Sequence, residues 1–197
     1  MIARRENTKD RLVEAAVELL RAAPGATLKI VLLNKALFYL DLCALRDRGE
    51  TLTGSPYIAL DQGPVVAKYK TRLVDELIER GFATQRDDGE TREKPVTLTR
   101  KAPKAKLLDE YALEKAREIA KYFSKLTSKK ASEISHQNPG WMIAYAEGRG
   151  RGNPPKPINM RIAMQEFAGT DPWLESEADP EFESAVAEAE KGPRIPW

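Results

Sequence analysis

The chain has 197 residues, of which 42% are hydrophobic, and a formal net charge of +2. This length fits one domain, or one domain with a tail, and a nearly neutral charge does not by itself require nucleic acid or a membrane as partner. The N-terminus lacks a hydrophobic leader and no apolar run is long enough to cross a bilayer, so we expect a cytoplasmic protein. Because Cys43 and His136 are the only residues of their types, we predict no disulfide, metal or other cofactor.

The first two predicted elements are helices. Apolar residues recur at helical spacing over 11–23, with Asn7 or Thr8 as the N-cap and Pro24 after the end. The next segment, 28–46, is apolar at nearly every position and is too long for a strand. It therefore predicts a helix that is buried on most of its circumference.

Two polar residues interrupt this apolar helix. Asn34 and Asp41 are seven residues apart, on nearly one line of the helix. Buried amide and carboxylate groups require hydrogen-bond partners, so we expect the segment that follows to supply them. That segment, 49–63, contains turn-forming Gly and Pro and predicts a loop, while Pro64 suits the first position of a helix that ends at Gly81.

The C-terminal half is predicted to contain one small hairpin and several helices. Short strands are expected at 82–86 and 95–99. The predicted helices are 107–126, 128–136, 141–146 and, capped by Asn159, 160–167, with a loop from Arg149 to Pro157 before the last. Together these elements predict a mainly helical α+β domain over 1–168. Residues 169–197 are acidic and predict a helical appendage that docks through the apolar stripe Phe182, Ala185, Val186 and Ala189.

Three sequence blocks together resemble a known family. LNKALFYLD at 33–41 is followed by G-x-x-L-T-G-x-x-Y at 49–57 and GPV at 63–65, and SHQNPGW stands at 135–141. This combination is similar to the Panacea domain of SocA-like and phage-associated antitoxins, over residues 28–167. The resemblance implies an antitoxin that is encoded beside a toxin and neutralises it by direct contact. Because a SocA-like member delivers its toxin to a protease, a cellular protease is a further partner that the resemblance leaves open.

The family pairs with unrelated toxins, so the shared pattern is expected to specify the fold. Its structural residues here are Asn34, Tyr39, Asp41, Gly54, Gly63, Pro64, His136 and Trp141. Partner contacts are expected on segments around that pattern, since loops carry many binding residues. The candidate partner-binding residues are Tyr57, Asp61, Gln62, Arg149, Arg151 and Trp173. For the first loop the alternative is packing on the central helix, and for Trp173 it is pinning the tail to the body.

The second functional hypothesis is a DNA-binding regulator. The order helix, hairpin over 64–99 resembles a winged helix, and basic residues are dense between 92 and 130. The helix that would enter the groove, however, carries Asp75, Glu76 and Glu79, which repel phosphate. We therefore expect weak or no binding to nucleic acid, and the basic residues could instead receive the acidic tail.

An enzyme is the third hypothesis. A buried Asp41 with a raised pKa could serve in acid–base chemistry, but a structural carboxylate is the preferred interpretation. Ser135 and His136 are adjacent, so on a helix their side chains point about 100° apart and cannot form a nucleophile–base pair. A histidine packed near Trp141 and an inert buried Cys43 are the expected roles, and we predict no enzymatic activity.

Overall fold

The structure, a computed structural model, describes residues 2–86, 94–148, 154–165 and 171–173. The elements in chain order are α1 (Ile2–Ala22), β1 (Thr27–Lys29), α2 (Ile30–Arg48), β2 (Tyr57–Leu60), β3 (Gly63–Val66), a π-helical turn (Lys70–Val74) that continues into α3 (Asp75–Glu79), β4 (Ala83–Gln85), β5 (Pro95–Leu98), α4 (Glu110–Ser124), α5 (Ser128–His136), α6 (Pro139–Gly148) and α7 (Met160–Gln165). The predicted class, mainly helical α+β, is confirmed.

Helix α2 is the centre of the core. Every residue from Ile30 to Leu45 is buried, because α1, α4, α5, α7 and the β2–β3 hairpin pack around it. The helix ends at Gly49, whose φ of 79° is left-handed and whose N–H donates to Leu45 O at 3.0 Å. The prediction of a helix buried on most of its circumference is confirmed.

Two small antiparallel sheets flank the helices. The predicted hairpin is present as β4 and β5, and β1 pairs with β5 to give the order β1-β5-β4. The second sheet, β2 with β3, occupies part of the segment that was predicted as a loop. The sequence predicted one hairpin, whereas the part of the chain that the structure describes contains two.

The sequence predicted that Pro64 begins a helix, but Pro64 lies in strand β3. Its partner across the sheet is Ala59, whose N–H points away from β3 and donates to Lys156 O at 3.1 Å. Pro64 therefore occupies a position at which the ladder needs no donor, which is where an edge strand tolerates proline. The helical segment expected after it is also shorter, since it begins only with the π-helical turn at Lys70.

Two helix starts also differ from their predictions. Helix α1 begins at Ile2, so Asn7 and Thr8 lie inside it and do not cap it. Pro139 and Gly140 form the first turn of α6, whereas they were expected to form a turn before a helix starting at Trp141. Proline is well suited to the first turn of a helix, because the N–H it lacks has no acceptor there.

A short C-terminal segment packs on the helical body. Asp171 and Trp173 are buried, although they follow the predicted domain boundary at 168. Asp171 forms ion pairs with Arg46 at 2.5 Å and with Lys115 at 2.8 Å, so one of the basic side chains does receive an acidic residue of this segment. The apolar stripe from Phe182 to Ala189 lies outside the described residues.

Among the described residues, no helix combines the length and hydropathy that crossing a bilayer requires.

Candidate partner-binding surface

Asp41 organises the segment that follows α2. Its fully buried carboxylate accepts hydrogen bonds from Thr53 N at 2.7 Å, Thr53 Oγ1 at 2.5 Å and Tyr57 Oη at 2.8 Å. Burial raises the pKa of Asp41 to about 6, and the hydrogen bonds oppose this rise. At neutral pH the carboxylate is ionised and fixes the path of residues 53–57 over α2. The partners predicted for this side chain are therefore present.

Asn34 fixes strand β3 to α2, as Asp41 fixes the start of the segment before β2. Its Oδ1 accepts from Val66 N at 3.0 Å, and its Nδ2 donates to Ile30 O at 3.0 Å. The side chain thus holds β3 against α2 and satisfies both halves of a buried amide. Together, Asn34 and Asp41 hold both ends of the segment between Thr53 and Val66. The predicted loop 49–63 supplies the partners of Asp41, whereas those of Asn34 are Val66, after that loop, and Ile30, in its own helix.

The two aromatic residues predicted to contact a partner are both buried. Tyr57 is fully buried, with its ring edge-on to Phe38 at 5.2 Å, because side chains alternate along β2 and Tyr57 points inward. The expectation of an exposed Tyr57 is wrong. Trp173 is also buried, and its Nε1 donates to Glu118 Oε2 at 3.1 Å. It pins the C-terminal segment to α4, which was the alternative for this residue.

The SHQNPGW block forms the corner between α5 and α6. His136 stacks on Trp141 with ring centroids 4.1 Å apart, and Trp141 stacks on Tyr145 at 4.6 Å. The proximity predicted for the histidine and the tryptophan is confirmed. Burial and the charge of Lys35 lower the pKa of His136, so the imidazole is neutral at pH 7. The stack therefore behaves as a packed aromatic unit and not as a charged one.

This corner and α5 hold the β2–β3 turn by side-chain hydrogen bonds. Trp141 Nε1 donates to Leu60 O at 3.1 Å, Tyr145 Oη donates to Asp61 Oδ1 at 3.0 Å, and Ser132 Oγ donates to Gln62 O at 3.0 Å. Asp61 and Gln62 are exposed, as predicted. The side of the turn that contacts α5 and α6 is therefore fixed, and the opposite side faces solvent. Arg149 and Arg151 follow α6 in the chain but lie outside the described residues.

Helix α6, which holds this turn through Trp141 and Tyr145, also exposes large apolar side chains that the sequence did not single out. Met142 is 52% exposed and Ile143 is 47% exposed. Helix α6 is apolar on all sides, so periodicity alone could not show which face would stay uncovered. We call Asp61, Gln62, Met142, Ile143 and Tyr145 the turn–α6 surface.

Lys35 is buried behind the same turn. Its side chain is 1% exposed, and its Nζ donates to Gln62 O. Gly63 makes room for it, since a Cβ at this position would lie 2.7 Å from Lys35 Nζ and 2.5 Å from Ser135 Oγ. Burial lowers the pKa of Lys35 to about 8. The ammonium therefore remains mostly protonated at pH 7, at a cost in stability.

The cost of burying Lys35 predicts a pH dependence. The folded pKa is below the unfolded value of 10.5, so above pH 8 the unfolded chain binds more protons and stability rises with pH. Relative to Lys35→Met, which cannot titrate, the wild type should gain about 2 kcal/mol in free energy of unfolding between pH ~7.5 and ~9.5. Denaturant unfolding of both proteins across this range measures the difference. A constant difference would mean that Lys35 is not desolvated.

The groups considered for catalysis are arranged for packing. Ser135 Oγ donates to Ser132 O at 3.0 Å and is not bonded to His136. Cys43 is buried, and burial raises the pKa of its thiol to about 12. Within the ranges that the structure describes, no three His, Cys, Asp or Glu side chains are grouped so that they could hold a metal ion.

Gly140 allows α6 and α7 to approach closely. A Cβ at this position would lie 2.7 Å from Ala163 Cβ and 2.9 Å from Ala163 N. These atoms belong to the backbone and Cβ of α7, so they cannot move aside by a side-chain rotation. We expect Gly140→Ala to lower the free energy of unfolding by about 1–3 kcal/mol. Gly148→Ala is the matched control, because its Cβ would meet Lys156 only at 3.5 Å. Equal melting temperatures for the two variants would contradict the close approach.

Part of the chain matches a known protein family. Residues 33–142 match the model of the antitoxin SocA-like, Panacea domain family. This range contains most of α2, the β2–β3 hairpin, both hydrogen-bonding residues Asn34 and Asp41, and the start of α6. The comparisons with curated proteins and with solved structures found no match. Since the matched range covers more than half of the chain, the protein belongs to the SocA-like antitoxin family defined by the Panacea domain.

Proposed function

We propose that this chain neutralises a toxin protein, encoded by a neighbouring gene, by binding it through the turn–α6 surface. The observation that carries the proposal is the pair of exposed apolar side chains, Met142 and Ile143, on the same helix that holds the exposed polar turn at Asp61 and Gln62. Apolar groups surrounded by polar ones are typical of protein–protein contact sites. The family to which the chain belongs is one of antitoxins, which makes a protein the expected partner.

The surface is held in place before any partner binds. The turn is fixed to α5 and α6 by side-chain hydrogen bonds, and β2 has backbone hydrogen bonds on both edges, to β3 and to residues 156–158. A surface that is already ordered loses little conformational entropy on binding. Neutralisation by direct binding therefore requires no chemistry from this chain, which agrees with a non-enzymatic role.

Co-expression tests this function. Cells that express the product of the neighbouring gene should stop growing, and co-expression of the full chain should restore growth. The toxin level, followed by immunoblotting, separates two outcomes: a constant level indicates that the toxin is held inactive, and a falling level indicates delivery to a protease. Growth arrest that the wild-type chain does not relieve, although it is abundant and folded, would contradict the proposed function.

The strand order favours a second candidate function. With α1 before β1, and α3 before the β4–β5 hairpin, the order β1-β5-β4 resembles that of a winged-helix domain. Glu76, on the helix that would enter the groove, already forms ion pairs with Lys9 and with Arg80 at 3.2 Å. The remaining carboxylates of that helix, Asp75 and Glu79, would face phosphate unneutralised.

We therefore expect DNA binding to be weak and independent of sequence. At physiological salt the dissociation constant should be no tighter than about 10⁻⁶ M, as for general phosphate attraction. A titration of the purified chain with its own promoter and with a scrambled duplex, over a salt series, measures this. A nanomolar complex with the promoter alone would favour a regulator over an antitoxin.

A further inference from the structure

A cleft of about 340 Å³ lies between the N-terminal half of α2 and the β2–β3 hairpin. The apolar part of its wall comes from Ile30, Val31, Leu60 and Val65, and Asn34 adds a polar group. Asp61, Gln62 and Tyr69 line it as well, and the buried Lys35 forms part of the wall. This volume is in the range of pockets that hold small organic molecules.

The positive charge of Lys35 is not neutralised inside the fold. Its Nζ donates to a carbonyl oxygen, which carries no net charge, and among the described residues no carboxylate lies within ion-pair distance of it. Buried charges are normally paired, because an unpaired ammonium loses its hydration without compensation. Lys35 therefore contributes to the wall of the cleft a positive charge that no carboxylate of the described residues neutralises.

The surroundings of Lys35 indicate which anion fits. Asp61 also lines the cleft, but its Oδ1 accepts from Tyr145 Oη at 3.0 Å. Its negative charge disfavours a dianion such as phosphate, whereas one ammonium suffices to pair with a single carboxylate. The apolar walls require that the anion is carried on an apolar stem.

We propose that this cleft binds a carboxylate group on a short apolar stem, with Lys35 Nζ as its counter-ion. Two sources of this chemistry exist: a free short-chain carboxylic acid, or the glutamate side chain of a protein that docks beside the cleft. The site stands independently of the antitoxin role, since it requires only the residues that line it.

The test uses the full chain with lysines labelled in ¹³C at the ε-carbon, and Lys35→Met to assign the Lys35 signal by NMR. The probes are hexanoate, hexanamide as the uncharged control of equal length, and a capped Ala-Glu-Ala peptide with its Ala-Gln-Ala counterpart. A bound carboxylate should raise the pKa of Lys35 by about one pH unit or more, because an opposite charge favours the protonated amine. Lys35→Met, checked for folding by thermal melting, should lose hexanoate-induced shifts at the backbone amides of the lining residues.

Each outcome decides the proposal. A rise with hexanoate alone assigns the cleft to a free acid, and a rise with the glutamate peptide assigns it to an acidic side chain of a protein. No change with either carboxylate, an equal response to hexanamide, or unaltered hexanoate binding by folded Lys35→Met would overturn it.

Discussion

Replacing Asp41 by alanine is expected to lower the free energy of unfolding by about 3–5 kcal/mol, which is a large part of the stability of a domain. The change leaves Thr53 N–H, Thr53 O–H and Tyr57 O–H inside the protein without their acceptor. Each unsatisfied buried donor costs about 1–3 kcal/mol, and the lost side chain leaves a small cavity. Equilibrium denaturation by urea, followed by circular dichroism, measures the loss.

Asp75→Ala is the matched control for this prediction. Asp75 is partly exposed at the start of α3, so its loss should change the free energy of unfolding by less than about 1 kcal/mol. If Asp41→Ala were as stable as Asp75→Ala, the hydrogen bonds to Asp41 would not be what organises residues 53–57.

Replacing both Met142 and Ile143 by aspartate is expected to weaken binding of the partner protein by about 100-fold or more. The two new carboxylates would have to be desolvated within an apolar contact without counter-ions, at a cost of about 3 kcal/mol or more. Because both side chains are exposed in the free protein, its melting temperature should change little. Titration calorimetry of the purified proteins measures the affinity.

The double variant Ile78→Asp with Leu107→Asp provides the control. These residues are 43% and 41% exposed, nearly as much as Ile143, and they lie on α3 and before α4. The control adds the same number of carboxylates and should bind the partner as the wild type does. Equal loss of affinity in both double variants would point to net charge, and full affinity in the α6 variant would remove this helix from the interface.

The central helix and its hydrogen bonds could be predicted from the sequence because burial has a simple physical consequence. An apolar segment of this length must be a buried helix, and Asn34 and Asp41 within it must find partners nearby in the chain. The strands β2 and β3 could not be predicted in the same way, since Gly63 and Pro64 normally interrupt strands. Pro64 is tolerated because the N–H of its partner Ala59 donates to Lys156 O instead of to β3. Sequence spacing does not reveal this contact.

The residues of the proposed binding surface were predicted only in part. The exposed turn at Asp61 and Gln62 followed from its composition, but Tyr57 was misplaced because the alternation along β2 becomes visible only once the strand is known. Met142 and Ile143 were missed because every face of α6 is apolar. Which face is covered depends on the packing of α6 against α7 and β2, a long-range property that the local sequence does not contain.

Hydrogen–deuterium exchange of the chain, alone and in complex with the product of the neighbouring gene, tests the central claim most directly. Backbone amides protected only in the complex report where the partner lies. If the partner binds the turn–α6 surface, new protection is expected at residues 60–63 and along α6, with β4 and α3 unchanged. Failure of the two proteins to form a complex, or protection confined to α3 and the β4–β5 hairpin, would contradict the claim.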